Sequence, residues 1–140
     1  MKKRKQNAAP YQAAVQAFLT AKLHGTWDAI QYADQGGATN QYGVARNESV
    51  LLTGASLRDN VMIVESACLI GEVVMSKCTS GTSALQLNST GYETFFYDYV
   101  IKTFTPYFPF FQACAQVLEK HTRMTGAEMK QIFEKMGLSL

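Results

Sequence analysis

Apolar and polar positions recur with a helical period over most of this chain. Tyr11, Ala14, Val15, Phe18 and Leu19 fall three and four residues apart, which predicts one apolar stripe along a helix over residues 8–22. Pro10 suits the first turn, where its missing N–H costs nothing, and Gly25 after His24 suits a left-handed stop. Residues 27–33 are short, aromatic and partly β-branched, and Asp34, Gly36 and Gly37 close them, so they read as a strand and a turn. A second strand over residues 41–45 would complete a hairpin across Gly36 and Gly37.

The longest apolar segment covers residues 57–75, with Val61, Met62, Ile63, Val64, Ala67, Cys68, Leu69, Ile70, Val73 and Val74. Ser56 is a suitable cap, and Asp59 places an acid near the positive end of the helix dipole. A helix apolar on nearly all sides is expected at the centre of a domain. Residues 79–91 are rich in Ser, Thr and Gly and read as a loop. Helical spacing returns with Tyr92, Phe95, Phe96, Tyr99 and Val100, until Pro106 and Pro109 break it. Phe110, Phe111, Cys114, Val117 and Leu118 carry a further helix to His121. Thr125-Gly126-Ala127-Glu128 has the form of a capping box opening a last helix to Met136, which Gly137 ends.

The fold expected from this pattern is mainly α (α+β): four to five helices around a central buried helix, with a small β-hairpin or short sheet near residues 27–46. Residues 1–7 are expected to form a flexible basic N-terminal tail, and residues 8–140 a single globular domain.

Composition narrows the function. Hydrophobic residues make up 47% of the chain and charged ones 17%, which excludes a disordered chain and implies a filled core or an apolar contact surface. The net charge of +2 supplies no global field toward nucleic acid or an acidic membrane. Lys2, Lys3, Arg4 and Lys5 nevertheless form a basic run, either a solvated terminus or an arm for nucleic acid. No apolar run approaches the ~20 residues of a membrane span, and no signal-peptide stretch follows the basic start, so an intracellular, cytoplasmic protein is expected. Cys68, Cys78 and Cys114 are odd in number and lack a Cys-x-x-Cys pair, which fits structural thiols.

Candidate chemistry is sparse. His24 and His121 stand at helix ends and belong to no His-x-x-x-His pair. Glu65 and Glu72 lie one heptad apart on the most apolar helix, so they share a face where partial burial is open to them; they either pair with Arg or Lys or reach out to solvent, or they act as acids with raised pKa. Gly81-Thr82-Ser83 is not a nucleophile elbow, and no phosphate-binding loop occurs. Neither a metal nor any other cofactor is expected. Core packing is expected to take half of the dense aromatic run from Tyr92 to Phe111, but the remainder, especially Tyr97, Tyr107 and Phe108, cannot all point inward, and an exposed aromatic patch would mark a contact surface.

Leu51-Leu52-Thr53-Gly54-Ala55-Ser56-Leu57-Arg58-Asp59, then Cys68-Leu69-Ile70-Gly71-Glu72, then Thr79-Ser80-Gly81-Thr82-Ser83-Ala84-Leu85, and a tail of Ala115 to Lys120 and Thr125 to Glu128, follow in an order that resembles the peptidase domain of FtsH-type ATP-dependent zinc proteases in shortened form. That resemblance implies a peptidase-like domain. It also implies a lost metal site, because the family's His-Glu-x-x-His corresponds here to Tyr11-Gln12-Ala13-Ala14-Val15, and its acidic loop to Ser83-Ala84-Leu85-Gln86.

The function expected is therefore a non-catalytic protein-interaction module, a pseudo-peptidase-like adaptor or inhibitor such as a mobile genetic element could encode. Tyr11, Val15, Tyr97, Tyr107 and Phe108 are its expected contacts with a protein partner, and a homo-oligomer stays open. Two alternatives stand beside it. One is a small hydrolase using Glu65, Glu72 and His24 or His121; the other is nucleic-acid binding through Lys2, Lys3, Arg4 and Lys5, helped by Arg46 and Arg58.

Overall fold

A computed structural model of the chain describes residues 8–27, 30–34, 37–40, 57–80 and 91–140. In chain order they form α1 (Ala9–His24), β1 (Ile30–Asp34), β2 (Gly37–Asn40), α2 (Leu57–Ser80), α3 (Gly91–Phe104), a 3₁₀ turn (Thr105–Tyr107), α4 (Phe108–His121), β3 (Arg123–Thr125) and α5 (Gly126–Lys135). The fold is mainly α with one small antiparallel sheet, as the pattern predicts.

Pro10 lies in the first turn of α1, and Gly25 ends it at φ 72°, donating its N–H to the Ala21 carbonyl at 2.8 Å. All ten residues from Ala9 to Phe18 are buried. Elements pack around α1 on several sides: α2, α4 and both strands of the hairpin touch it. The central helix is thus α1, whereas the pattern places the run of residues 57–75 there. The reason is size. Ala9, Ala13, Ala14, Ala17 and Ala21 give α1 a thin profile that several neighbours can approach together. The bulkier α2 buries Ile63, Ala67, Ile70, Val73 and Val74, and leaves Met62 and Leu69 in water.

The strands are ordered β2-β1-β3, antiparallel throughout. The hairpin pairing runs up to Asp34 and Gly37, beside the predicted glycine turn. The observed second strand precedes residues 41–45, which lie outside the described residues, as do Ser56 and most of the predicted loop of residues 79–91. Along β1, Gln31 and Ala33 are buried and Tyr32 is exposed, the alternation of a sheet with one covered face. The third strand is not predicted by the pattern. Thr122 leaves α4 at φ 58°, and its carbonyl accepts the Ala33 N–H at 3.2 Å. Three extended residues then run beside β1 before Thr125 caps α5.

An aromatic cluster joins the helices. Phe18 of α1 lies 4.6 Å from the ring centre of Tyr107 and 5.4 Å, edge-on, from Phe111. Phe133 of α5 stacks on Tyr107 and meets Phe110 edge-to-face at 5.1 Å. Pro106 and Pro109 break the chain as expected. The first sits in the 3₁₀ turn, the second in the opening turn of α4.

Candidate functional site

On α2, the spacing of Met62, Glu65, Leu69 and Glu72 alternates three, four, three, which aligns the four side chains in one stripe about 15 Å long. All four are exposed, and Met62 and Leu69 each keep 55% of their surface in water. The side of α2 that carries Gly71 lies against α1, where Gln12 Nε2 donates to the Cys68 carbonyl at 3.1 Å. The stripe therefore alternates an apolar group with a carboxylate and faces away from that contact.

Glu65 and Glu72 share a face as predicted, yet they are exposed rather than partly buried. Both carboxylates act on the half-buried Cys68 between them. Burial pushes its thiol up from the ordinary value, and Glu72 and then Glu65 add to the shift. Burial also raises Cys78, and it pushes the fully buried Cys114 up to about 12. Protonated thiols are poor nucleophiles, so these cysteines read as structural. His121 is exposed at the end of α4, and the half-buried His24 at the end of α1 keeps its Nε2 buried without a hydrogen-bond partner. Among the described residues, no group of three or more His, Cys, Asp or Glu side chains is arranged to hold a metal ion. No described helix is long and apolar enough to cross a membrane.

The five contact residues inferred from sequence divide. Tyr11, Val15 and Phe108 are core residues, at 5%, 0% and 8% exposure. This corrects their expected accessibility. α1 is enclosed, and Phe108 turns inward to meet the Phe111 ring at 6.4 Å. The Tyr11 phenol is pushed up to about 12 by burial, with Cys78 and Glu119 adding to it. Tyr97 and Tyr107 are half-buried; the Tyr107 hydroxyl donates to the Ser139 carbonyl at 3.4 Å. The stretch Tyr11 to Val15 lies wholly inside the core. Lys2, Lys3, Arg4, Lys5 and Arg46 lie outside the described residues.

Two features escape the sequence pattern. One is the exposure of Met62 and Leu69, hidden by the apolar residues on all sides of them. Their shared heptad spacing with Glu65 and Glu72 is the available signal. The other is a polar line at every fourth position of α1: Gln12, Gln16, Thr20 and His24. Gln12, Gln16 and Thr20 are buried, and the Thr20 hydroxyl is satisfied by the Gln16 carbonyl at 2.8 Å. Comparison with family models, with curated proteins and with solved structures finds no match to this chain.

Proposed function

We propose that this chain is a non-catalytic protein-interaction module that docks a partner through the outer face of α2. The observation that carries the reading is the pair Met62 and Leu69, each more than half exposed and one heptad apart on a helix whose opposite side packs against α1. Apolar surface left in water is unfavourable by about 25 cal/mol per Å², and a partner covering both side chains recovers that free energy. The adaptor or inhibitor form of the reading, with a peptidase-like scaffold that lost its metal, is drawn from the resemblance alone.

The test is a comparison of partners. The wild-type chain and the double variant Met62→Ser with Leu69→Ser are used as baits in extract of the native host. Both positions are exposed, so the variant should keep its fold, which circular dichroism checks. A stoichiometric partner held by the wild type and lost by the variant supports the module. Equal recovery by both baits, or hydrolytic turnover by the pure protein, overturns it.

A further inference from the structure

The outer face of α2 also constrains the chemistry of what binds it, and this step rests on the docking reading above. We propose that the partner presents an amphipathic helix, with Lys or Arg set about one turn from each apolar contact residue. Met62 and Leu69 stand seven residues apart, as do Glu65 and Glu72, so each pair repeats at ~10.5 Å along the helix. A second helix lying alongside repeats its own side chains at the same interval and can meet all four positions in register. An extended strand repeats same-face residues at about 6.7 Å and falls out of step within the length of the stripe.

Charge decides between classes of partner. A helix packed 8–10 Å from α2, roughly the usual interaxial distance, strips water from Glu65 and Glu72. Such carboxylates must then be paired with cations, because an unpaired desolvated charge is strongly unfavourable. Phosphate backbones and anionic lipid surfaces bring the wrong sign. A second copy of this face does too, since it places two more glutamates against the first two. The surface therefore favours a different protein segment, basic and helical, with Met62 able to adapt to varied apolar shapes.

The test uses a phage-displayed library of helical peptides about three heptads long, with leucine fixed at one position per heptad and the others randomised. It is selected against the full-length chain and counter-selected against Met62→Ser with Leu69→Ser. Surviving clones should be enriched in Lys or Arg one turn from the leucines. Their affinity should fall by at least about tenfold, or ~1.4 kcal/mol, on the Glu65→Gln, Glu72→Gln variant. Binding should also weaken as salt rises. Clones that survive counter-selection with no basic enrichment, or that bind the double glutamine variant equally well, overturn the basic-helix inference and leave the docking reading in place. If no clone survives counter-selection, or if the chain itself dimerises through this face, the inference fails; in the first case the docking reading fails with it.

Discussion

Gly71 of α2 lies so close to Gln12 of α1 that a Cβ on the glycine would stand 2.6 Å from Gln12 Cγ and 2.7 Å from Gln12 Cα. One of those atoms is backbone, so no rotation of the glutamine side chain relieves the overlap. The same glutamine donates to the Cys68 carbonyl, one turn before the glycine. The crossing of the two helices is thus set by a missing side chain on one and a hydrogen bond from the other.

A Gly71→Ala substitution separates this contact from helix propensity. In an open mid-helix position alanine would be more favourable than glycine by about 1 kcal/mol. Here the helices must move apart, and overpacking of this kind costs about 1–3 kcal/mol. We expect net destabilisation, read as a lower urea midpoint with an unchanged slope. A midpoint that rises would mean the helices do not approach this closely.

Gln16 and Gln31 make the opposite case. Each is fully buried, and neither the oxygen nor the nitrogen of either side-chain amide has a hydrogen-bond partner. Leaving a buried polar group unpaired costs about 1–3 kcal/mol, whereas an apolar side chain of the same shape carries no such cost. Gln16→Met and Gln31→Met should each raise stability by roughly 1–3 kcal/mol. Gln12→Met should lower it by leaving the Cys68 carbonyl without its side-chain donor. Equilibrium denaturation of the three variants ranks them, and a loss at Gln16 as large as at Gln12 would contradict the assignment.

The contrast between these positions shows what is legible in the residues. The start of α5 is local, because Thr125 and Glu128 carry the whole capping signal within one turn. Gly25 and Gly137 announce their helix ends in the same way, and both adopt φ 72°. β3 is not legible, since its three residues are extended only because β1 lies beside them. Nor does periodicity reveal which of two apolar helices is central. α1 takes that place because alanines let its neighbours close in, and its polar line at Gln12, Gln16 and Thr20 is buried with it. The exposed stripe on α2 is half visible: the pairing of Glu65 with Glu72 can be read from spacing, while the exposure of Met62 and Leu69 depends on where α1 packs.

The cap of α5 yields a prediction in pH. The Thr125 hydroxyl accepts the Glu128 N–H at 3.2 Å, and a Glu128 carboxylate oxygen accepts the Thr125 N–H at 3.0 Å and its hydroxyl at 2.9 Å. These bonds, from the Thr125 backbone first and its side chain second, hold the Glu128 carboxyl below its ordinary value. A depressed carboxyl contributes stability that is present above the unfolded value and lost as pH falls through the folded one. Stability measured downward from neutral pH should therefore fall more steeply in the wild type than in Glu128→Gln. Thr125→Ala removes the cap itself and should cost about 1 kcal/mol at neutral pH. Parallel pH curves for wild type and Glu128→Gln would show that the box makes no charged contribution.

The cysteines give the corresponding prediction at high pH. Cys114 is fully buried in α4, and burial raises its thiol from 9.0 to about 12. Below pH 9 the thiol is neutral in both the folded and the unfolded chain, so it adds no pH dependence. Above that value the unfolded thiol ionises while the folded one stays protonated, and stability is drained progressively toward pH 12. Cys114→Ala should flatten this part of the alkaline stability curve, although it also opens a cavity that lowers stability at every pH. The same protonated, enclosed thiol should react with an aromatic disulfide reagent only as fast as the protein opens. Cys68 and Cys78, half-buried on α2, should react sooner. If Cys114 reacts in step with the other two in the native protein, its burial in the core is refuted.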